Sequence, residues 1–488
     1  MRLFTFHPSI HVMSVRRSLA WTYLAQVASF IVTFGSTVMI ARIVSPRDFG
    51  VFAMATAVAT IINVFMQFGL AKYVTREKEM TQDILRSVFT VNVMMTSFYV
   101  TAILIGSVAA GRLFGSPEVG RFMLVFAIFP LFAMMEFVPE ALCIREMRFG
   151  AVAAVSVARA IVLAVTTLAL AYNGFAYMSF AWAQVFAWAV TAICFNAIIW
   201  RPDVWRLRFT GIRKIFGFGA QMIGISGVGQ LSTRAGEMAL GSMLGLTPLG
   251  LYTRAAGLPS SLYTTVYAAG SNVIFSRLSR ELRETGALHV TYLRFMRMIL
   301  GLLWPMLIGL AVVAQPVIHI VYGAKWHAAA VPLSLLAIGW AVTLGIGMTS
   351  ELFVLRHQTH RQVKFESFKA VAGFAMFAAG ALISLPAAAA AKLGEAVLGF
   401  ILYRKPMAAL IGGPASEMRG AYAEGLWLSL AATLPSLALM VWSGWSELTP
   451  LPMLIASIGL GGVLWTGLLW QRQHPIALEV VRLFHGEA

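Results

Sequence analysis

Residues 45–55 read SPRDFGVFAMA and residues 247–255 read TPLGLYTRA. After a two-residue gap, Gly50, Phe52 and Ala55 align with Gly250, Tyr252 and Ala255, and each run is led by a Ser or Thr and a proline, Pro46 or Pro248. Both runs open a hairpin of apolar segments, and the two hairpins lie six segments apart. That is the pattern of a two-lobed transporter built from two six-helix repeats. The Pro and Gly positions have a plainer reading as well: a tight cap between spans, with Pro ending one helix and Gly allowing the turn.

Composition sets the surroundings of these runs. Hydrophobic residues make up 59% of the 488 and charged residues 12%, whereas a soluble domain carries roughly a quarter charged residues. A soluble enzyme is excluded. Apolar stretches of about twenty residues, each long enough to cross a bilayer, recur from end to end. They predict about fourteen helices: 18–41, 49–71, 87–110, 121–143, 151–172, 175–199, 216–246, 255–275, 298–321, 328–355, 365–385, 387–403, 422–442 and 451–470. The expected fold is all-α, a polytopic membrane bundle of two six-helix lobes around a central cavity plus two C-terminal helices. Its parts are an N-lobe (1–199), a basic linker (200–214) that is the natural hinge, a C-lobe (215–403), and helices 13 and 14 with a tail (404–488).

The net charge of +17 is read against this topology. One set of loops holds only Arg42, Arg47, Arg112, Arg121, Arg254 and Lys325, and Arg159, Arg234 and Lys392 lie within spans, so most of the 37 Lys and Arg fall on the other side. Cytoplasmic loops collect such an excess, which places both termini in the cytoplasm. The surplus is then topology signal and contact with anionic membrane lipids, with no nucleic-acid partner. The run from Leu19 to Ile40 follows Arg2, Arg16 and Arg17 and outruns the roughly 7–15 residues of a signal-peptide core, so it reads as a first, uncleaved span. Cys143 and Cys194 have no CxxC spacing and read as buried free thiols.

Short loops exclude an extramembrane catalytic domain, and the absence of a GxxxxGK[ST] phosphate loop argues against an ATP-driven pump. The longest inner segment, 276–297, reads as an amphipathic basic helix. No metal or cofactor motif stands out: His357 and His360 lie in a solvated basic loop without a carboxylate. Tryptophans near predicted span ends, among them Trp188, Trp304 and Trp326, read as an aromatic belt without a cargo role.

Ionisable residues within spans are the site candidates, because each costs several kcal/mol in lipid unless it faces a wet cavity or a partner. Arg159 lies near the middle of its span, with no acidic residue three or four positions away. Arg234 and Glu237 are three apart on one face, and Lys392 and Glu395 repeat that spacing. For these pairs two readings stand side by side, a self-neutralising ion pair and a cation open to the cavity. Glu237, Glu395 and the more interfacial Glu351 are the candidates for ion coupling. The glycine-rich segment 217–245 reads either as close helix packing or as a bendable gate.

The segment ARIVSPRDFGVFAMA, with LGLYTRAAGLPSSLYTTVYAAGSNVIFSRLSREL in the second half, resembles the polysaccharide transporter family, which includes Wzx-type oligosaccharide flippases and exopolysaccharide exporters. The resemblance implies a two-lobed bundle that alternates access to a central cavity and is not an enzyme. Its cargo would be a polyprenyl-pyrophosphate-linked glycan, passed outward across the bacterial inner membrane for exopolysaccharide or lipopolysaccharide synthesis. A polysaccharide polymerase and glycosyltransferases would be further partners. Arg42, Arg159, Arg234, Arg254 and Lys392 would be the cavity cations. The alternatives are a multidrug or cation antiporter, for which the first lobe offers only Glu136 and Glu140, and a polysaccharide polymerase.

Overall fold

A computed structural model of the chain describes residues 15–64, 70, 73–74, 77, 80–210, 212, 215 and 231–485. No strand occurs among the described residues. The helices are α1 (Val15–Ile43), α2 (Pro46–Val64), α3 (Gln82–Leu113), α4 (Pro117–Phe126), α5 (Phe129–Arg145), α6 (Phe149–Tyr172) and α7 (Met178–Ile198). There follow α8 (residues 231–243), α9 (Leu246–Thr285), α10 (His289–Val312), α11 (Ala314–Tyr322), α12 (Ala330–Leu344) and α13 (Thr349–Leu355). The chain closes with α14 (Thr359–Ala381), α15 (Leu385–Ile411), α16 (Ala415–Trp442), α17 (Leu451–Gln471) and α18 (Pro475–His485).

Ten helical stretches among the described residues are long and apolar enough to cross a membrane. This is a multi-pass membrane protein. Of the other four expected spans, 255–275 carries many Ser, Thr, Tyr and Gly, and 365–385 begins in a charged segment; most of 216–246 and the end of 49–71 lie outside the described residues. Five of the glycines read as a gate, Gly217 to Gly229, lie there too.

The helices gather into two compact units: one holds the chain up to Ser45 and Ala55–Leu231, the other Pro46–Met54 and everything from Ser232. The two opening runs are not turns, which corrects the hairpin-cap reading. Pro46 is the first residue of α2, where its missing N–H costs nothing, and Pro248 lies in the first turn of α9. Gly50 and Gly250 sit inside those helices because the backbones cross there. A Cβ on Gly50 would run into the Leu246 carbonyl oxygen, and one on Gly250 into the Pro46 carbonyl oxygen. The segment 276–297 is not one helix either. α9 runs on to Thr285, ends at Gly286 in the left-handed region (φ +73°), and α10 begins at His289.

Backbone groups freed inside spans must find partners without water. Pro139 of α5 leaves the Met135 carbonyl free, and Asn196 of α7 donates to it at 3.1 Å. Pro305 of α10 frees the Gly301 carbonyl, and the Trp465 indole donates to it at 2.9 Å. Expected span 328–355 is broken at 345–348, where Tyr422 donates to the Gly345 carbonyl (2.7 Å), Tyr292 to the Gly347 carbonyl (3.1 Å), and the Met348 N–H to Tyr267 (2.6 Å).

Residues 200–210 of the expected hinge are fastened to α3. Arg86 donates to the Asp203 carbonyl (2.9 Å), Ser87 to the Thr210 carbonyl (2.6 Å) and the Arg208 N–H to Thr90 (2.8 Å). At the other end α18 docks on α10 through an Arg294–Glu479 ion pair, and His474 caps it by accepting from the Ile476 N–H at 3.3 Å. His474 is 3% exposed, and burial first, then the Arg297 charge, pushes its imidazole down to about 4. A base whose folded value is lowered stays neutral while the unfolded chain protonates, so stability is full above about 6.5 and falls between there and 4, by about 1.4 kcal/mol per unit and about 3 kcal/mol in all. The detergent-solubilised protein is expected to lose unfolding temperature from pH 7 to pH 5 by more than a His474→Asn variant, which keeps the cap without the titration.

Candidate functional site

Helix α6 carries one charge in its 24 residues, Arg159, about 15 Å from its start at 1.5 Å per residue and so near mid-span. Against lipid that charge would cost several kcal/mol. Arg159 lines a chamber of about 540 Å³ in the first unit, walled by α1, α6 and α7. Its guanidinium carbon lies 4.8 Å from the Trp188 ring centroid, a cation–π contact that holds the group without using its N–H edges. Among the described residues Arg159 makes no ion pair, though Glu136 and Glu140, one turn apart on α5, are within electrostatic reach. Glu136 is 3% exposed, and its Oε2 has no hydrogen-bond partner among the described residues.

The rest of the lining is mostly apolar, from Ala25, Phe149, Val152, Ala153, Ala160 and Leu163, and uncharged polar groups interrupt it. Helix α1 contributes Gln26, Ser29 and Thr33, α6 adds Ser156 and α7 adds Gln184. A planar cation with free donors, beside an aromatic face and uncharged hydrogen-bonding groups, is suited to an anion attached to a polyhydroxylated body.

The second unit treats its charges differently. Arg234 donates to Glu237 at 2.7 Å and Lys392 to Glu395 at 2.7 Å, each pair within one helix. The two pairs feel one another, since Lys392 acts on Glu237, and Tyr252 and the buried Phe377 ring lie beside them. Each of these cations is thus paired within its own helix, the arrangement that the self-neutralising reading describes. Removing one partner leaves a half-buried charge unmatched. Glu395→Gln is expected to lower stability by about 3 kcal/mol, and Lys392→Met combined with Glu395→Leu to recover most of it, measured by thermal unfolding in detergent.

Arg254 is 8% exposed and is not in an open loop. Its guanidinium carbon lies 3.7 Å from the Phe49 ring centroid, 5.6 Å from Tyr322 and 5.9 Å from Trp326. It is a boxed cation that binds α9 to the start of α2, and Trp326, fully buried, belongs to that box rather than to an aromatic belt. Arg42 is exposed in the last turn of α1, engaged elsewhere and absent from the chamber lining. Glu351 stands half-buried in the first turn of α13, close to the Tyr263 and Tyr267 pair.

With this geometry in hand, comparison with known proteins gives a consistent answer. The sequence pattern of the family described as "Polysaccharide biosynthesis protein" matches residues 39–331. The chain belongs to that family. It is 24% identical over 334 residues to the succinoglycan biosynthesis transport protein ExoT of Rhizobium meliloti (strain 1021), covering 68% of this chain and 67% of the relative. It is 21% identical over 482 residues to the lipopolysaccharide biosynthesis protein WzxC of Escherichia coli (strain K12), covering 95% of each. Among solved structures it shares its fold with the lipid II flippase MurJ in an inward closed conformation, at TM-score 0.73 and 14% identity over 93% of this chain and 99% of that one.

For this family member, sequence reasoning singled out Arg159 as a mid-span charge and passed over its surroundings. Trp188 was assigned to the aromatic belt, and the Gln26, Ser29 and Thr33 series was passed over. Their spacing of three and four was the available signal, because it puts three polar groups on one face of a largely apolar span.

Proposed function

We propose that this protein is a flippase or exporter of lipid-linked oligosaccharide units, working by alternating access in the cytoplasmic membrane of a bacterium. The observation that carries the reading is Arg159, an arginine at mid-span with no ion-pair partner among the described residues, in a chamber of about 540 Å³. The guanidinium receives the pyrophosphate, whose oxygens match its planar fork. Glu136 and Glu140 of α5 lie within electrostatic reach of that guanidinium and outside the chamber lining. Residues 1–199 and 215–403 form the two lobes, joined through 200–214, with both termini in the cytoplasm. Similarity to a succinoglycan biosynthesis transport protein and a shared fold with a lipid II flippase support the same cargo class.

The test is transport itself. Liposomes holding the purified full chain and a polyprenyl pyrophosphate carrying a hexose disaccharide are assayed for the leaflet that holds the sugar. The reading expects transfer from one leaflet to the other well above protein-free liposomes. No transfer, together with increased drug susceptibility in a strain lacking the gene, would replace it with an antiporter.

A further inference from the structure

Arg159 accounts for one charged contact, and it leaves the uncharged polar lining of the chamber unexplained. Elsewhere in the spans, hydroxyl side chains bond back to their own helix: Thr90 to the Arg86 carbonyl, Thr167 to Leu163, Thr191 to Ala187 and Thr433 to Ser429, all at 2.6–2.7 Å. That is the ordinary way to satisfy a hydroxyl without water. Ser29, Thr33 and Ser156 do not do this, and among the described residues neither they nor the Gln26 and Gln184 carboxamides have any hydrogen-bond partner. Gln26, Thr33 and Ser156 are exposed and Ser29 and Gln184 half-buried, so all five stand open to whatever polar molecule fills the chamber.

The geometry points to a glycan-reading wall: Gln26, Ser29 and Thr33 of α1, with Ser156 and Gln184, hydrogen-bond the hydroxyls of the sugars next to the pyrophosphate and set which glycans are accepted. The assignment rests on the flippase reading. Carboxamides and hydroxyls each donate and accept, as sugar hydroxyls do, and none carries a charge that would favour a second phosphate. From Gln26 to Thr33 the series runs about 10 Å along α1, long enough to meet more than one sugar ring. Trp188, whose ring holds Arg159, lines the same chamber.

The test compares two probes on the full chain in lipid nanodiscs: bare polyprenyl pyrophosphate, and the same lipid carrying a β-linked hexose disaccharide. Each neutral hydrogen bond contributes on the order of 1 kcal/mol, so the Gln26→Ala, Gln184→Ala double variant is expected to bind the disaccharide lipid about thirtyfold more weakly and the bare lipid within about twofold of wild type. Thr33→Val, which keeps the side-chain volume, is expected to shift in the same direction by a few fold. Equal weakening toward both probes, or disaccharide binding unchanged in both variants, would overturn the wall and leave the flippase reading standing. Failure of the wild-type protein to bind either probe would overturn the flippase reading, and the wall with it.

Discussion

Replacing Arg159 by alanine is expected to abolish transport of the lipid-linked glycan while the protein still reaches the membrane. The cation has no ion-pair partner among the described residues, so its loss forfeits one cation–π contact with Trp188 and little else in the fold. Toward the cargo the consequence is larger. Truncating a desolvated charged contact costs about 2–5 kcal/mol, at least thirty-fold in affinity. Arg159→Lys is expected to fall between the two, because an ammonium keeps the charge and loses the planar two-pronged donor. Leaflet-resolved transport, normalised to the amount of folded protein by size-exclusion chromatography, checks the order wild type, lysine, alanine. Wild-type transport by the alanine variant would remove the site assignment.

The second large effect is expected at the helix crossing. Gly50→Val and Gly250→Val each place side-chain atoms where the other run's carbonyl oxygen sits, on Leu246 and Pro46 respectively. Overpacking against a flexible side chain costs about 1–3 kcal/mol. Against backbone on both sides nothing can turn away, so each variant is expected to lose at least about 3 kcal/mol, read as a large fall in unfolding temperature or failure to accumulate. Gly257, about two turns further along α9, has open space where its Cβ would be, and Gly257→Ala is expected to be neutral or stabilising by up to about 1 kcal/mol through helix propensity. Similar unfolding temperatures for all three would show that the crossing is not as close as described.

How much of this was legible beforehand follows from the range of each interaction. Most span positions were readable because the length of an apolar run is a local property, and the two Pro–Gly runs could be matched because both lie in one chain. Their role was misread: a proline and a glycine in succession suggest a turn, and only the crossing of α2 with α9 explains why Gly50 and Gly250 stay helical. The breaks near Ala127 and Gly345 were invisible for a similar reason, since the groups that satisfy a broken helix come from afar, as Tyr292 and Tyr422 do for residues 345–347.

The charged residues divide along the same line. Glu237 and Glu395 stand three positions from their cations, so pairing was an open reading from the start, and distance decided it. Arg254 could not be anticipated, because Phe49, Tyr322 and Trp326 come from three distant segments. Arg159 was found by subtraction, as the arginine without a nearby acid. Its Trp188 partner was hidden in a population of interfacial tryptophans, and the α1 series was readable from spacing but carried no charge to draw notice.

The most direct test of the central claim is a cryo-EM map of the full chain in nanodiscs with polyprenyl pyrophosphate-linked disaccharide. The account predicts diphosphate density within hydrogen-bonding distance of the Arg159 guanidinium and sugar density running along Gln26, Ser29 and Thr33. A bound lipid whose diphosphate lies elsewhere, with this chamber holding only water, would contradict it.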